Sequence, residues 1–156
     1  LYFFGEEFDL DTLRRNFYFY EPRTVHESSL SPCVHAVLAA RLGDLEKAVE
    51  MYLRTARLDL DDYNREVAEG CHVTSMAGSW LSVVEGFGGM RVLSFDPRLP
   101  ETWESLSFKV NFRGRVLTVK VTRTAVEVSN EGDPVEIALC GRRVLVEEKV
   151  IMNSES

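Results

Sequence analysis

The chain has 156 residues, of which 45% are hydrophobic and 28% are charged, and its formal net charge is −7. This composition is typical of globular proteins and excludes an intrinsically disordered chain. The negative charge argues against nucleic acid or an anionic membrane surface as a partner, and no apolar run approaches the roughly 20 residues of a membrane span.

The first half of the chain has helical patterning. Residues 1–5, LYFFG, are typical of the last turn of an apolar helix that ends at Gly5. Four further helices are predicted from the apolar spacing and the capping residues, over residues 9–20, 31–43, 44–60 and 74–86. An acidic, irregular linker separates the last two.

Two of these helices are predicted to form an antiparallel hairpin. Ser31 is the predicted N-cap of the first, Pro32 its first helical residue and Gly43 its end, while Asp44 caps the next helix with almost no loop between them. Apolar residues at spacings of three and four predict one buried face on the second helix, formed by Leu45, Ala48, Val49, Tyr52, Leu53 and Ala56.

After about residues 88–91 the hydrophobic period changes from 3.6 to two. Short alternating segments predict strands over residues 106–112, 115–121, 124–129, 135–139 and 142–151, with a turn at 130–134. Closely spaced strands of this kind favour a small antiparallel β-sandwich or barrel. The predicted fold class is therefore α+β, a helical part followed by an antiparallel β part. A four-helix bundle is the alternative for the helical part.

Polar side chains crowd the starts of two predicted helices. The first cluster contains His26, Glu27, Ser28, Ser29 and Ser31, and the second contains His72, Thr74, Ser75 and Gly78. A helix start offers unpaired backbone N–H groups and a partial positive charge, so two converging starts could hold a phosphate or a carboxylate. The structural alternatives are N-caps for Ser31 and Thr74, a local turn for Ser28 and Ser29, a hydrogen-bonded His72, and close helix packing at Gly78. His35 is expected to pack between helices.

The remaining ionisable residues give no independent active site. The acidic residues Asp59, Asp61, Asp62, Glu66 and Glu69 are interpreted as a solvated loop, with metal chelation as the alternative. The spacing of Cys33, Cys71 and Cys140 fits neither a disulfide framework nor a zinc site, so we expect free thiols, no metal and a reducing, cytoplasmic location. No secretory signal opens the chain, and no serine-hydrolase or Gly-rich nucleotide motif is present.

Several ordered segments resemble the C-terminal part of glycoside hydrolase family 65, the family of maltose, trehalose and kojibiose phosphorylases. The segments are YEPRTVHESSLSPC, LGDLEKAVEMYLRTARLDLDDYN, HVTSMAGSW, GFGGMRV and LSFDPRLPETWESLSFKVNFRGR. The resemblance implies that residues 1–88 are the last helices of an (α/α)6-barrel catalytic domain and that residues 89–156 form the C-terminal β-sandwich domain.

The resemblance also implies an activity. Such enzymes cleave an α-glucosidic bond with inversion: a glutamic acid protonates the glycosidic oxygen while phosphate attacks the anomeric carbon, giving β-glucose 1-phosphate. The family's phosphate pocket, carried over to this chain, nominates Ser28, Ser29, His72, Thr74, Ser75 and Gly78 for phosphate. His26 and Glu27 would lie near the substrate, with His26 either near the sugar or supporting the serine turn.

The resemblance places the general acid and a sugar-contacting Lys-Gln pair upstream of Leu1, so no catalytic residue is expected in this chain. Glu27 stands where the family usually has Asp, and Ser79 where Thr is frequent. The expected partners are an α-linked glucose disaccharide, phosphate as co-substrate without a cofactor, the rest of the polypeptide, and a second copy in a homodimer. A trehalase-like hydrolase and a non-catalytic carbohydrate-binding module are the alternatives.

Overall fold

The computed structural model describes Tyr2 and residues 7–62 and 65–153. The predicted helical turn at residues 1–5 lies outside the described residues, Tyr2 excepted. The chain divides into two compact units, one up to Gly86 and one from Phe87. The helices of the first unit are α1 (Leu10–Tyr20), α2 (Ser31–Leu42), α3 (Leu45–Ala56), α4 (Leu58–Asp61) and α5 (Val73–Leu81), and a π-helical turn (Ser82–Phe87) follows α5. The domain limits of 1–88 and 89–156 remain a prediction.

The helix ends follow largely from local side chains. Asp9 caps α1 by accepting a hydrogen bond from the Thr12 backbone N–H, 2.7 Å away. Gly43 ends α2 in the left-handed conformation (φ 83°), and the Asp44 side chain caps α3 immediately afterwards. The predicted hairpin of α2 and α3 is therefore confirmed, and α2, whose side chains are mostly buried, lies at the centre of the unit.

The predicted third helix differs from the observed one in length and in its buried face. It breaks at Arg57 (φ −105°, ψ 6°), and residues 58–61 form the separate short helix α4. The buried residues of α3 are Ala48, Met51 and Thr55, whereas Leu53 is 46% exposed. The predicted face was wrong at Leu53 because the side of α3 that packs on α2 and α5 includes a threonine, which a purely hydrophobic pattern passes over.

Residues 87–153, the described part of the second unit, contain eight strands in two four-stranded sheets. The strands are β1 (Met90–Arg91), β2 (Ser94–Phe95), β3 (Ser105–Phe112), β4 (Arg115–Thr122), β5 (Ala125–Glu131), β6 (Val135–Leu139), β7 (Arg142–Val146) and β8 (Lys149–Asn153). One sheet has the order β1-β2-β6-β7 and the other β3-β4-β5-β8. All pairings are antiparallel except that of β2 with β6.

The alternation of apolar and polar side chains decides which face of each sheet is buried. Leu117, Val119 and Val121 of β4 point inward, and Val126 and Val128 of β5 lie beside them. The rings of Phe95 in one sheet and Phe108 in the other lie 6.4 Å apart between centroids, so the apolar faces of the two sheets meet. The predicted antiparallel β-sandwich is confirmed. The strand expected over 142–151 is two strands, because the chain bends at Glu147 and Glu148.

None of the helices in the described ranges is both long and apolar enough to cross a membrane.

Candidate functional site

The two polar clusters predicted from the sequence meet at one hydrogen bond. Ser29 Oγ lies 2.6 Å from Thr74 Oγ1, although the residues are 45 positions apart. Ser29 belongs to the turn before α2, and Thr74 to the first turn of α5. The fold thus brings the serine turn, residues 26–31, to the start of α5.

The serine turn is held by bonds among its own residues. Ser28 Oγ accepts a hydrogen bond from the Leu30 backbone N–H at 3.3 Å, and the Ser28 carbonyl accepts one from the Ser31 N–H at 3.1 Å. The turn predicted for Ser28 and Ser29 is therefore present. Ser28 is exposed and Ser29 half-buried, so both hydroxyls can be reached from outside.

Neither predicted serine or threonine cap is observed. Leu30 occupies the N-cap position of α2 without a side-chain bond, and Ser31 is the first helical residue, with Pro32 second. The Ser31 hydroxyl bonds instead to His26 Nδ1, 2.9 Å away. At α5 the N-cap residue is His72, which again makes no side-chain cap bond. The Thr74 hydroxyl is bonded to Ser29 and not to the helix end. Both cap predictions were wrong, since each hydroxyl has a partner outside its own helix end.

His26 supports the serine turn from beneath. Its side chain is only 7% exposed, and its ring packs edge-on against His35 at 4.6 Å between centroids. The guanidinium of Arg54 donates to the His26 carbonyl at 2.7 Å. Burial, followed by electrostatic interaction with His35 and Arg54, lowers the pKa of His26, which favours the neutral ring. The position of His26 near the substrate stays a prediction. Glu27, by contrast, is exposed.

His72 is held between two carboxylates at the start of α5. The Asp59 carboxylate accepts two hydrogen bonds from His72, one from the backbone N–H at 2.9 Å and one from Nδ1 at 2.5 Å. Glu66 lies 3.3 Å from Nε2 on the other side of the ring. Hydrogen bonding to Asp59, and then to Glu66, raises the pKa of His72, while the same His72 bonds lower the pKa of Asp59. The raised pKa favours the cationic form of His72, which binds anions.

Ser75 and Gly78 lie on the opposite side of α5, against other helices. The buried Ser75 hydroxyl donates to the Thr55 carbonyl of α3 at 2.7 Å. A β-carbon built on Gly78 would lie 3.3 Å from Cγ2 of Thr55 and closer still to Cys33. Ser75 lines a cavity of about 380 Å³, shared with Thr55, Ala56, Asp59, Leu60, Met76 and Ser79. The hydroxyl of Ser75 is thus not directed at the Ser29–Thr74 contact, and the packing alternative for Gly78 fits its position.

Two residues of the site were not recognised in the sequence. Asp59 was interpreted as part of a solvated loop, and Arg54 was given no role. Neither role has a local sequence motif, because the contacting residues are far apart in the sequence. Asp59 and His72 are 13 positions apart, and Arg54 and His26 are 28 positions apart. In the described part of the chain, no three or more His, Cys, Asp or Glu side chains are grouped as a metal site would require.

Comparison with known proteins identifies the family of the chain. Residues 1–81 match the glycosyl hydrolase family 65 central catalytic domain, and residues 90–146 match the C-terminal domain of the same family. A maltose phosphorylase of Bacillus subtilis is 55% identical over 130 residues, which cover 81% of this chain and 17% of the relative. An α,α-trehalose phosphorylase of Thermoanaerobacter brockii is 47% identical over 148 residues, covering 92% of this chain and 19% of the relative.

The fold has a counterpart among solved structures. A candidate kojibiose phosphorylase from the human microbiome superimposes with a TM-score of 0.93 at 35% identity, over 99% of this chain and 24% of that one. This chain therefore spans less than a quarter of the length of each of these relatives. Because the central catalytic domain matches more than half of its residues, the chain belongs to glycoside (glycosyl) hydrolase family 65.

Proposed function

We propose that this chain is the C-terminal part of an inverting disaccharide phosphorylase, which uses inorganic phosphate to cleave an α-glucosidic bond and releases β-glucose 1-phosphate. The observation that carries the proposal is the 2.6 Å hydrogen bond between Ser29 and Thr74, which joins two segments rich in hydroxyl donors. The relatives are named as phosphorylases of maltose, trehalose and kojibiose, which gives the substrate class.

The chemistry requires this chain to hold phosphate rather than to activate it. An oxygen of phosphate forms the new bond to the anomeric carbon as the glycosidic bond breaks, and an upstream acid gives its proton to the departing oxygen. Phosphate is already a nucleophile, so a base that would activate water is not needed. Positioning and charge stabilisation are the remaining tasks, and hydrogen-bond donors can supply both.

The residues divide between phosphate contact and support. Ser28, Ser29 and Thr74 offer hydroxyl donors, and His72, whose pKa is raised, offers a ring N–H. Ser75 and Gly78 act indirectly in this proposal, because their contacts fix α5 against α3 and α2. His26 acts through the serine turn. This assignment narrows the set nominated by the family resemblance to four donors.

The surroundings of the site complete the proposal. The helices of this chain would close an (α/α)6 barrel together with the rest of the polypeptide, and the enzyme would be a cytoplasmic homodimer. No cofactor is needed beyond phosphate as co-substrate. The activity belongs to the longer enzyme, since the proton donor is not expected among these residues.

The test is phosphorolysis by the full-length enzyme with Ser29→Ala, Thr74→Val or His72→Ala. Each change removes a donor, so the KM for phosphate should rise by about tenfold while the KM for the disaccharide stays within about twofold. Ser107→Ala, at an exposed position of β3, is the control and should match the wild type. An unchanged phosphate KM in all three variants, or hydrolysis of the disaccharide without phosphate, would contradict the proposal.

A further inference from the structure

The two carboxylates beside His72 differ in how firmly they hold it. Asp59 makes two bonds, to the backbone N–H and to Nδ1, and its side chain is 20% exposed. Oε2 of Glu66 lies 3.3 Å from Nε2, a longer contact, and the Glu66 side chain is 48% exposed. Two short bonds from one carboxylate fix both the backbone and the ring, whereas a longer contact from a half-exposed side chain exchanges more readily with solvent or with another anion.

The bond from Nδ1 to Asp59 also decides which ring nitrogen serves a ligand. With Nδ1–H donated to Asp59, the second N–H of the imidazolium, at Nε2, is the one left for an external anion. Nε2 is the atom that Glu66 now contacts. A carboxylate and a phosphate offer the same acceptor chemistry to this N–H.

We propose that Asp59 is a positioning residue that directs Nε2 of His72 toward phosphate, and that the Glu66 carboxylate holds this nitrogen until phosphate displaces it. The inference rests on the proposed function, because it takes phosphate as the ligand of His72. The exchange requires no proton transfer: His72 keeps its bond to Asp59, and one anion replaces another at Nε2.

The negative charge of Glu66 lowers the affinity of His72 for phosphate. A phosphate that approaches Nε2 must displace a carboxylate and is repelled by it. Asp59 has the opposite effect, because its charge favours the protonated form of His72 and its two hydrogen bonds keep the ring in place. Among the described residues, the ionisable groups that act on His72 are Asp59 on α4 and Glu66 in the loop that precedes α5.

The experiment measures phosphate KM against pH in the full-length enzyme carrying Glu66→Gln, Asp59→Asn or His72→Ala. Glu66→Gln should lower the phosphate KM by about two- to fivefold with kcat unchanged. Asp59→Asn should raise it by about tenfold. In Asp59→Asn, the rise of phosphate KM with pH should also begin at lower pH, because the pKa of His72 falls when the Asp59 charge is lost. A purely structural Asp59 would not move this midpoint.

Glu69→Gln is the matched control, since it removes one negative charge from the same short loop at an exposed residue. An equal drop in phosphate KM for Glu69→Gln and Glu66→Gln would overturn the role of Glu66. If His72→Ala weakens phosphate use while Asp59→Asn and Glu66→Gln behave as the wild type, the inference fails and the phosphate site stands. An unchanged phosphate KM in His72→Ala removes His72 from the site and the inference with it. Should Asp59→Asn fail to fold, the half-exposed Glu66→Gln decides the outcome alone.

Discussion

Gly78 lies so close to Cys33 that a β-carbon built on the glycine would be 2.8 Å from Cβ of Cys33 and 2.9 Å from its Sγ. Cys33 is buried on α2, and α2 cannot shift away from Gly78 because its following turns are buried as well. We therefore expect Gly78→Ala to lower the free energy of unfolding by about 1–3 kcal/mol through overpacking. Thermal unfolding of the full-length protein measures the effect.

Gly86 supplies the control for this substitution. It also faces α2, but the nearest atom to an added β-carbon is Cα of Val37 at 3.5 Å, which is an ordinary contact. Gly86→Ala should leave stability unchanged or raise it by up to about 1 kcal/mol, because alanine reduces the entropy of the unfolded chain. Equal destabilisation by both substitutions would contradict the close approach at Gly78.

Replacement of His26 should show whether this residue supports the serine turn or contacts the sugar. His26→Phe keeps a ring against His35 but removes the bond to Ser31. We expect a loss of about 1–2 kcal/mol in stability and a higher phosphate KM, with an unchanged disaccharide KM. Val25→Ala, at a side chain that is 73% exposed, is the control. A disaccharide KM that rises alone in His26→Phe would place the residue at the sugar.

The ion pair of Asp59 and His72 should stabilise the protein over a defined pH range. The raised pKa of His72 gives stability that is complete below about pH 6.5 and is lost as pH rises through the folded value. The lowered pKa of Asp59 gives stability that is present above about pH 3.9 and is lost as pH falls through the folded value. The difference in melting temperature between wild type and Asp59→Asn should therefore be largest at about pH 4–6.5.

Asp61→Asn is the comparison for this pH profile. Asp61 is paired with Arg57, which lowers the pKa of Asp61 and stays charged at all accessible pH values. The difference in melting temperature between Asp61→Asn and the wild type should shrink only as the pH falls, and it should persist in alkaline solution. Identical alkaline behaviour of the two variants would exclude His72 as the titrating partner of Asp59.

Asn130 should be essential to the β-sandwich because its amide joins two turns. The buried side chain donates to the carbonyls of Asp133, Val146 and Glu147 at distances of 2.9–3.2 Å. Asn130→Asp replaces the donor with a charged acceptor among carbonyl oxygens, so stability should fall by at least about 2 kcal/mol at neutral pH. The loss should lessen in acid, where the carboxyl group is protonated.

The same substitution at the exposed Asn153 of β8 is the control for Asn130. Asn153→Asp should change the melting temperature little at any pH. If Asn130→Asp were as mild as Asn153→Asp, the amide contacts would not hold the turns together.

The sequence predicted the elements of the fold where local chemistry decides them. Asp9, Gly43 and Asp44 act at helix ends through their own side chain or backbone, and the alternation in β4 follows from one buried face. Elements that depend on distant partners were less predictable. The parallel pairing of β2 with β6 and the break at Arg57 have no local signature.

The candidate site was predictable in its parts and not in its connections. Family resemblance nominated Ser29 and Thr74, but their mutual bond is a property of the packed helices. The cap predictions for Ser31 and Thr74 failed because a tertiary partner competes with the helix end for the same hydroxyl. Asp59 was missed for the same reason, since only the fold brings it to His72.

The pairing of β2 with β6 also has a consequence for how the second unit folds. Ser94 and Phe95 find their partners at Ala138 and Leu139, after three of the long antiparallel strands have been made. The strands β3, β4 and β5 can pair as hairpins on the way, whereas the short edge formed by β1 and β2 must wait for β6. Closing that large loop slows folding, because its entropy is lost before the contact forms. During synthesis, β1 and β2 would thus be made first among the strands but would be among the last to pair within the sandwich.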